Sequence, residues 1–326
     1  MSRPATLMPD STCQHFFPVR DYDLAATLTS GQAFRWSEHD GWWEAVVSGH
    51  WVRLRQVDEG ILAETIQDRR SKVESSGQPA LDTGRSTFHT GWGWLAHYLQ
   101  TEVDIGAVTL SFPDDAPMRT AVTACRGLRL LRQDPWECLA SFILSSTKQI
   151  VQIRQIVALL CQRFGESIVV PHGHEPVFSF PGAGRLAACA ENDLRGCKMG
   201  FRAPNLLRTA KMIAAGEVNL RSLPARPLAE ARNELLKLPG VGNKIANCVL
   251  LFAYGFQQAF PVDVWVMKAL RQLYFPKRRV SPQRLARFTA THFGANAGYA
   301  QQYLFHYMRT KSLELRPSRK NKPNHR

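Results

Sequence analysis

Between about residues 18 and 66 the apolar positions come in short runs, "QAFRW", "WWEAVV", "HWVRLRQV" and "ILAETI", separated by the polar stretches "SEHDG", "SGH" and "VDEG". Runs of this length, rich in aromatic and β-branched residues and broken by turn formers, predict the strands of an antiparallel sheet. From Gln67 to Thr90 the periodicity dissolves into "DRRSKVESSGQP" and "DTGRS", which predicts a loop or a partly disordered insert. At Trp92 the period changes. In "WGWLAHYLQ", "WECLASFILSS" and "IVQIRQIVALLCQRFG" apolar residues recur at three- and four-residue steps, the spacing of a helix with one buried stripe. "PGAGRLAAC", "APNLLRTAKMIAAG" and "PLAEARNELLKLPG" continue the pattern, each opened by Pro or closed by Gly. The expected fold class is therefore α+β. An N-terminal antiparallel β domain over 1–91 packs on a mostly α-helical domain over 92–315, and the basic, apolar-free tail 316–326 is expected to be disordered.

Within the helical part, "LAEARNELLK" places Leu228, Ala231, Leu235 and Leu236 on one stripe, "LPGVG" interrupts it, and "NKIANCVLLFAYG" starts a second helix. This is a helix-hairpin-helix at 228–252. Gly240 and Gly242 allow positive φ and let backbone N–H groups approach a phosphate, while Asn243 is placed to cap the second helix. Such a hairpin grips a DNA backbone without reading its sequence.

Lys244 sits on the first turn of that second helix, where the helix dipole disfavours a cation, and Cys248 follows at i+4 on the same face. In a desolvated site this placement favours loss of the proton and gives a nucleophilic amine. The alternative is a lysine that only touches a phosphate. Asp263 follows Pro261 in "FPVDVWVMKAL" and opens the next amphipathic helix. It is either a plain N-cap or a carboxylate that also faces a cavity, stabilising positive charge on a sugar and orienting the amine. A lysine and an aspartate joined by one helix and a turn suggest glycosidic cleavage at a nucleoside.

Composition supports such a target. Among 326 residues, 41 Lys and Arg oppose 27 Asp and Glu, a formal net charge of +14 and a pI near 9.8, so the chain's field attracts polyanions. The seven cysteines, at 13, 125, 138, 161, 189, 197 and 248, form no C-x-x-C pair. That argues for reduced thiols in an intracellular, DNA-associated protein of the cytoplasm or nucleoid, or of the nucleus in a eukaryote. It argues against structural zinc or an iron-sulfur cluster, and no metal or other cofactor is expected. "HGH", His172 to His174, lies between prolines and reads as an exposed loop rather than a ligand set. The apolar runs are far shorter than the roughly 18–20 residues a membrane span needs, and Met1 to Cys13 lacks a signal-peptide core.

Taken in order, "SGQAFRW", "GLRLLRQDPWECLASFILSS", "MGFRAPNL", "LPGVGNKIANCVLLF", "AFPVDVWV" and "AGYAQQYLF" resemble the helix-hairpin-helix DNA glycosylase superfamily. The details resemble its 8-oxoguanine DNA glycosylase branch, across roughly residues 15–310. The missing cysteine cluster sets aside the endonuclease III branch. The resemblance implies that Lys244 attacks the deoxyribose C1′ with help from Asp263. The base then leaves, the sugar is held as a Schiff base, and β-elimination nicks the strand. It implies a base pocket in which the Gly31 carbonyl accepts from the N7–H that distinguishes 8-oxoguanine from guanine, a preference worth about 1–3 kcal/mol. Gln301 would read the Watson–Crick edge, and Phe305 and Cys248 would sandwich the base. The implied partner is double-stranded DNA containing oxidised guanine, bound by a monomer through Gly240, Gly242, Arg202, Phe201, Thr147 and Trp265.

The chain departs from the family around the lesion. Thr147, Lys148 and Gln149 replace a run of asparagines, and Gln152 stands where an arginine reads the opposite cytosine. Trp265 replaces a phosphate-contacting histidine, and Met308 an acidic residue. These departures imply a weaker or altered opposite-base preference. Two other readings remain open at this point: a monofunctional glycosylase, or one for other purine lesions; and a non-catalytic hairpin protein that only binds DNA.

Overall fold

The computed structural model describes residues 12–66, 91–146, 148–276 and 280–314. The expected insert, the basic tail and Thr147 lie outside these described residues. The chain opens with β1 (Thr12–Pro18) and a short helix α1 (Leu24–Thr29), followed by β2 (Ser37–His39), β3 (Trp42–Val47), β4 (His50–Val57) and β5 (Gly60–Ile66). These strands form one antiparallel sheet in the order β1-β5-β4-β3-β2.

Two details differ from the sequence expectation. "QAFRW" is not a strand: Gln32 is fully buried in the turn after α1, and Trp36 is buried in the sheet's core. The first strand is instead Thr12–Pro18, whose apolar alternation is weak because it forms the sheet edge and buries fully only Phe17. Pro18 sits at its end, where a missing N–H is tolerated.

The rest of the described chain is mostly helical: α2 (Gly93–Leu99), α3 (Ile105–Leu110), α4 (Ala116–Ala124), α5 (Pro135–Leu144) and α6 (Ile150–Phe164). After the two-stranded ribbon β6 (Ser167–Ile168) and β7 (Val177–Phe178) come α7 (Ala183–Ala187), α8 (Glu191–Arg195), α9 (Ala203–Ala214), α10 (Leu228–Leu236), α11 (Asn243–Phe252), α12 (Val264–Ala269), α13 (Pro282–His292) and α14 (Ala297–Glu314). The cap residues explain several boundaries. Asp104, Asp115, Asp134, Asp263 and Ser281 each accept from a backbone N–H of the helix they open.

The apolar residues form two cores. One gathers the inner face of the sheet with Leu95, Tyr98 and Leu99 of α2 and Leu131, so the first helix of the helical part packs on the strands. The other fills the space among α4, α5, α6, α9, α11, α12 and α14. Between them runs the segment 128–133. Leu131 N donates to Gln32 Oε1 at 2.8 Å, and Gln133 Nε2 donates to the Gln32 carbonyl at 2.7 Å. This stitching fixes the turn that carries Gly31 against the helical core.

Candidate active site

The hairpin expected at 228–252 is present: α10 ends at Leu236, the chain turns through Pro239 to Gly242, and α11 begins at Asn243. Ala231 and Leu235 are buried as expected, but Leu236 is 37% exposed and falls off the stripe. Gly240 has φ +79°, and a Cβ there would meet Asn205 Cβ at 3.0 Å, so only glycine fits without strain. Gly242 does not share that conformation. Its φ is −101°, it occupies the N-cap of α11, and nothing lies within 4 Å of the place a Cβ would take. The expected cap by Asn243 is also corrected, since Asn243 is already the first helical residue and is exposed. The hairpin turn is held from behind by α9, where Thr209 Oγ1 donates to the Pro239 carbonyl at 3.0 Å. Gly242 and Asn243 at the start of α11 are exposed, and the first N–H groups of the helix have no partner within it.

One residue into that helix, Lys244 is half-buried. Its Nζ donates to Ser145 Oγ at 3.2 Å and lies 5.0 Å from the centroid of the Phe142 ring. Ser145 in turn donates to the Phe142 carbonyl at 2.7 Å. Cys248, one turn on, is buried, which pushes its thiol up to about 11; Lys244 pulls that value down and Asp263 pushes it up. The three side chains therefore share one locality. Asp263 caps α12 through a single oxygen, Oδ1, which accepts from Trp265 N at 2.9 Å and Val266 N at 2.8 Å. Burial raises the pKa of its carboxyl, against the lowering effect of these bonds and of Lys244. Asp263 is thus the N-cap of α12 and at the same time a carboxylate on which burial and the charge of Lys244 both act.

A second group forms around Gly31, which has φ +80°. A Cβ at Gly31 would lie 3.0 Å from Ile150 Cδ1 and 3.5 Å from both Phe305 Cε1 and an Arg309 Nη1. Gln301 and Phe305 both lie on α14, one turn apart. Phe305 is half-buried, whereas Gln301 is only 3% exposed and its Oε1 is buried without a hydrogen-bond partner. A buried acceptor left unpaired is uncommon, and it leaves Gln301 Oε1 with capacity for a further donor. The helices link the two groups: α11 packs on α5, and α12 packs on α14. Met308 is buried in the helical core.

The residues assigned to the DNA surface separate. Phe201 is 61% exposed in the turn before α9, as a wedge would be. Arg202 is turned inward. It is 3% exposed, its guanidinium lies 4.2 Å from the centroid of the Phe201 ring, and its Nε and Nη2 both donate to the Ser146 carbonyl, the former at 2.8 Å. Burial has made it a tie between the α5–α6 connection and the Met199–Phe201 turn. Gln152 is exposed but accepts from Gln149 N at 3.1 Å, serving the start of α6. Trp265 is half-buried, with Lys268 Nζ 5.4 Å from its ring centroid. Ser145, Phe142, Ile150, Gln302 and Arg309 went unmarked in the sequence. They lie about a hundred residues or more from the residues they serve, and only the fold brings them there.

Residues 15–139 match the family described as 8-oxoguanine DNA glycosylase, N-terminal domain. Residues 140–292 match the HhH-GPD superfamily of base excision DNA repair proteins. The fold superposes on the structure of MBOgg1 in complex with a low-affinity DNA ligand, with a TM-score of 0.79 and 30% identity over 90% of this chain and 94% of that one. The chain belongs to the 8-oxoguanine DNA glycosylase family. This glycosylase also resembles the Clostridium acetobutylicum 8-oxoguanine glycosylase/lyase in complex with double-stranded DNA containing cytosine opposite 8-oxoguanine. That match has a TM-score of 0.77 and 28% identity, covering 93% of this chain and 99% of that one. A probable N-glycosylase/DNA lyase of Methanothermobacter thermautotrophicus is 28% identical over 91% of this chain and 96% of its own length. Among the described residues of the glycosylase no helix is long and apolar enough to cross a membrane.

Proposed function

We infer that this glycosylase removes 8-oxoguanine from duplex DNA and then nicks the strand as a lyase. The observation that carries the chemistry is the Lys244 amine, half-buried against Ser145 and Phe142 and electrostatically coupled to the desolvated carboxylate of Asp263. The damaged nucleotide leaves the stack to reach it, because its sugar carbon and base edge are inaccessible in the duplex. The N–H groups at the start of α11, which have no partner within the helix, and the net charge of +14 favour the phosphates on either side.

In the proposed sequence the amine attacks C1′ while the C1′–N9 bond breaks, and the base departs with that electron pair and takes up a proton. The ionised carboxylate of Asp263 stabilises the positive charge that develops on the sugar. The aminal nitrogen then loses a proton, its lone pair breaks the C1′–O4′ bond as O4′ takes up a proton, and the ring opens to a protonated Schiff base; removal of a C2′ proton then expels the 3′ phosphate. In the base pocket Gln301 Oε1, buried and unpaired, suits N–H donors on the Watson–Crick edge of a base, and Phe305 borders the Gly31 turn that would accept from N7–H.

Borohydride trapping on a duplex carrying 8-oxoguanine tests this reading. A covalent adduct is expected with the wild-type chain and none with Lys244→Gln. Base release without an adduct would mean monofunctional action, and duplex binding without release would leave only a DNA-binding hairpin. With Arg202 tied to Ser146 and Gln152 engaged in its own helix, excision rates opposite the four bases should differ by about tenfold or less, the worth of one ordinary hydrogen bond. A sharp preference for cytosine would refute that expectation.

A further inference from the structure

The turn after α1 is unusual in how completely its carbonyls are claimed from outside. The Thr29 carbonyl accepts from Arg309 Nη1 at 2.9 Å, the Ser30 carbonyl from Gln302 Nε2 at 3.0 Å, and the Gln32 carbonyl from Gln133 Nε2 at 2.7 Å. Among the described residues no hydrogen bond falls on the carbonyl of Gly31, the one left between them. Two of the three donors come from α14. Gln302, Phe305 and Arg309 are spaced at i, i+3 and i+7, a single helical stripe, and the Phe305 ring touches the Gly31 position between its two polar neighbours.

The placement is costly to maintain. Gln302 is 3% exposed, and a buried amide is tolerated only when it is hydrogen-bonded. Burial lowers the pKa of Arg309, and the charge of Arg154 lowers it further, with no carboxylate among the influences on it. A pair of apolar side chains would join α14 to the turn more simply. What the polar pair adds is direction: Gln302 fixes the plane of the Ser30–Gly31 peptide and Arg309 that of the Thr29–Ser30 peptide before it, and together they set the course of the chain into Gly31 and so where its carbonyl points.

We propose that Gln302 and Arg309 are positioning residues that aim the Gly31 carbonyl at the N7–H of the extruded base, so that lesion discrimination depends on two α14 side chains that never touch the lesion. This rests on the reading of the chain as an 8-oxoguanine glycosylase. A hydrogen bond that separates 8-oxoguanine from guanine is only as selective as its geometry, and displacement of a reacting or reading group by about 1 Å can cost about a hundredfold. The simpler role, fastening the N-terminal part to α14, predicts something different, since it would weaken every activity alike.

The full chain can separate these roles with two substrates. One is a duplex with 8-oxoguanine, whose excision needs the base to be read; the other is a duplex with a preformed abasic site, whose nicking by Lys244 needs no base. Gln302→Met and Arg309→Leu, each keeping bulk without a donor, should lower single-turnover excision of 8-oxoguanine by about tenfold to a hundredfold. Abasic-site nicking should stay within about twofold of wild type, and Arg309→Lys, which retains a donor, should recover most of the excision rate. Equal losses on both substrates, or no loss on either, would overturn the proposal. A wild-type chain that nicks abasic sites but leaves 8-oxoguanine in place would instead bring down the functional reading beneath it, a result distinguishable from variants that behave like wild type.

Discussion

Asp263 joins two duties that one substitution can separate. Its Oδ1 caps α12 through two backbone N–H groups, and burial raises the pKa of the same carboxyl. Asp263→Asn keeps an oxygen for the cap and removes the charge, so excision should fall about 10²–10⁴-fold while the helix stays capped. Because the folded-state pKa is raised, ionisation costs the folded state more than the unfolded one, and that cost grows as pH climbs from the unfolded to the folded value. The variant should therefore melt at or above wild type at neutral pH. For the wild type, excision should rise with pH through an acid limb lying above the usual carboxylate range, and a pH-rate profile of Asp263→Asn should lack that limb. Gln301 invites the opposite trade. Its buried Oε1 has no partner, an arrangement that costs about 1–3 kcal/mol, so Gln301→Leu should leave thermal stability equal or higher while excision falls. A calorimetric melt that drops with this substitution would mean that the side chain is structural.

The element that matters most is the hairpin, and its two glycines are not equivalent. Gly240 has φ +79° and Asn205 Cβ 3.0 Å from its missing Cβ, so Gly240→Ala should destabilise the chain by about 1–3 kcal/mol in urea unfolding. Gly242 has an ordinary φ and open space beside it, so Gly242→Ala should scarcely move the midpoint. Its effect should instead appear in DNA affinity, because a methyl group there stands where a phosphate approaches the helix start. Similar losses of stability for both variants would contradict this division. The motif "LPGVG" announces a turn and a phosphate grip, but which glycine bends the chain and which clears the approach depends on α9 lying behind Gly240.

Across the whole molecule, the sheet and the helical part are joined by more than the Gly31 turn. His174, in the loop between β6 and β7, pairs through Nε2 with Glu44 Oε1 of β3 at 2.9 Å, and its ring meets Trp51 edge-on at 5.5 Å. "HGH" is thus a turn whose second histidine is a brace. Burial lowers the pKa of His174, but the hydrogen bonds to Glu44 and to the Glu175 carbonyl, together with the charges of both glutamates, outweigh it and the folded value is raised. A raised histidine stabilises the fold fully below its unfolded pKa and loses that contribution as pH rises through the folded value. Wild type should therefore lose up to about 1 kcal/mol of stability across that window, and Glu44→Gln should flatten the loss. A pH-stability curve unchanged by the substitution would show that the pair contributes nothing.

Local patterning by itself determined that β-strands precede helices, that a hairpin lies at 228–252, that Lys244 and Asp263 occupy helix starts, and that Lys244 and Cys248 share one face. These features come from periodicities of two and 3.6, from Pro and Gly, and from i+4 spacing, all of which act over a few residues. It misread "QAFRW" as a strand because aromatic content cannot distinguish a strand from a buried turn whose polar Gln32 is satisfied by distant partners. It could not show that Arg202 is buried and tied to Ser146, because a motif records a residue and not its burial. Only the tertiary structure decided that Ser145 receives the Lys244 amine, that Gln301 holds an unpaired acceptor, and that Gln302 and Arg309 hold the two carbonyls that precede that of Gly31. Those contacts span about 100 to 280 residues of chain. Their energies come from desolvation and hydrogen-bond direction, which no local pattern encodes.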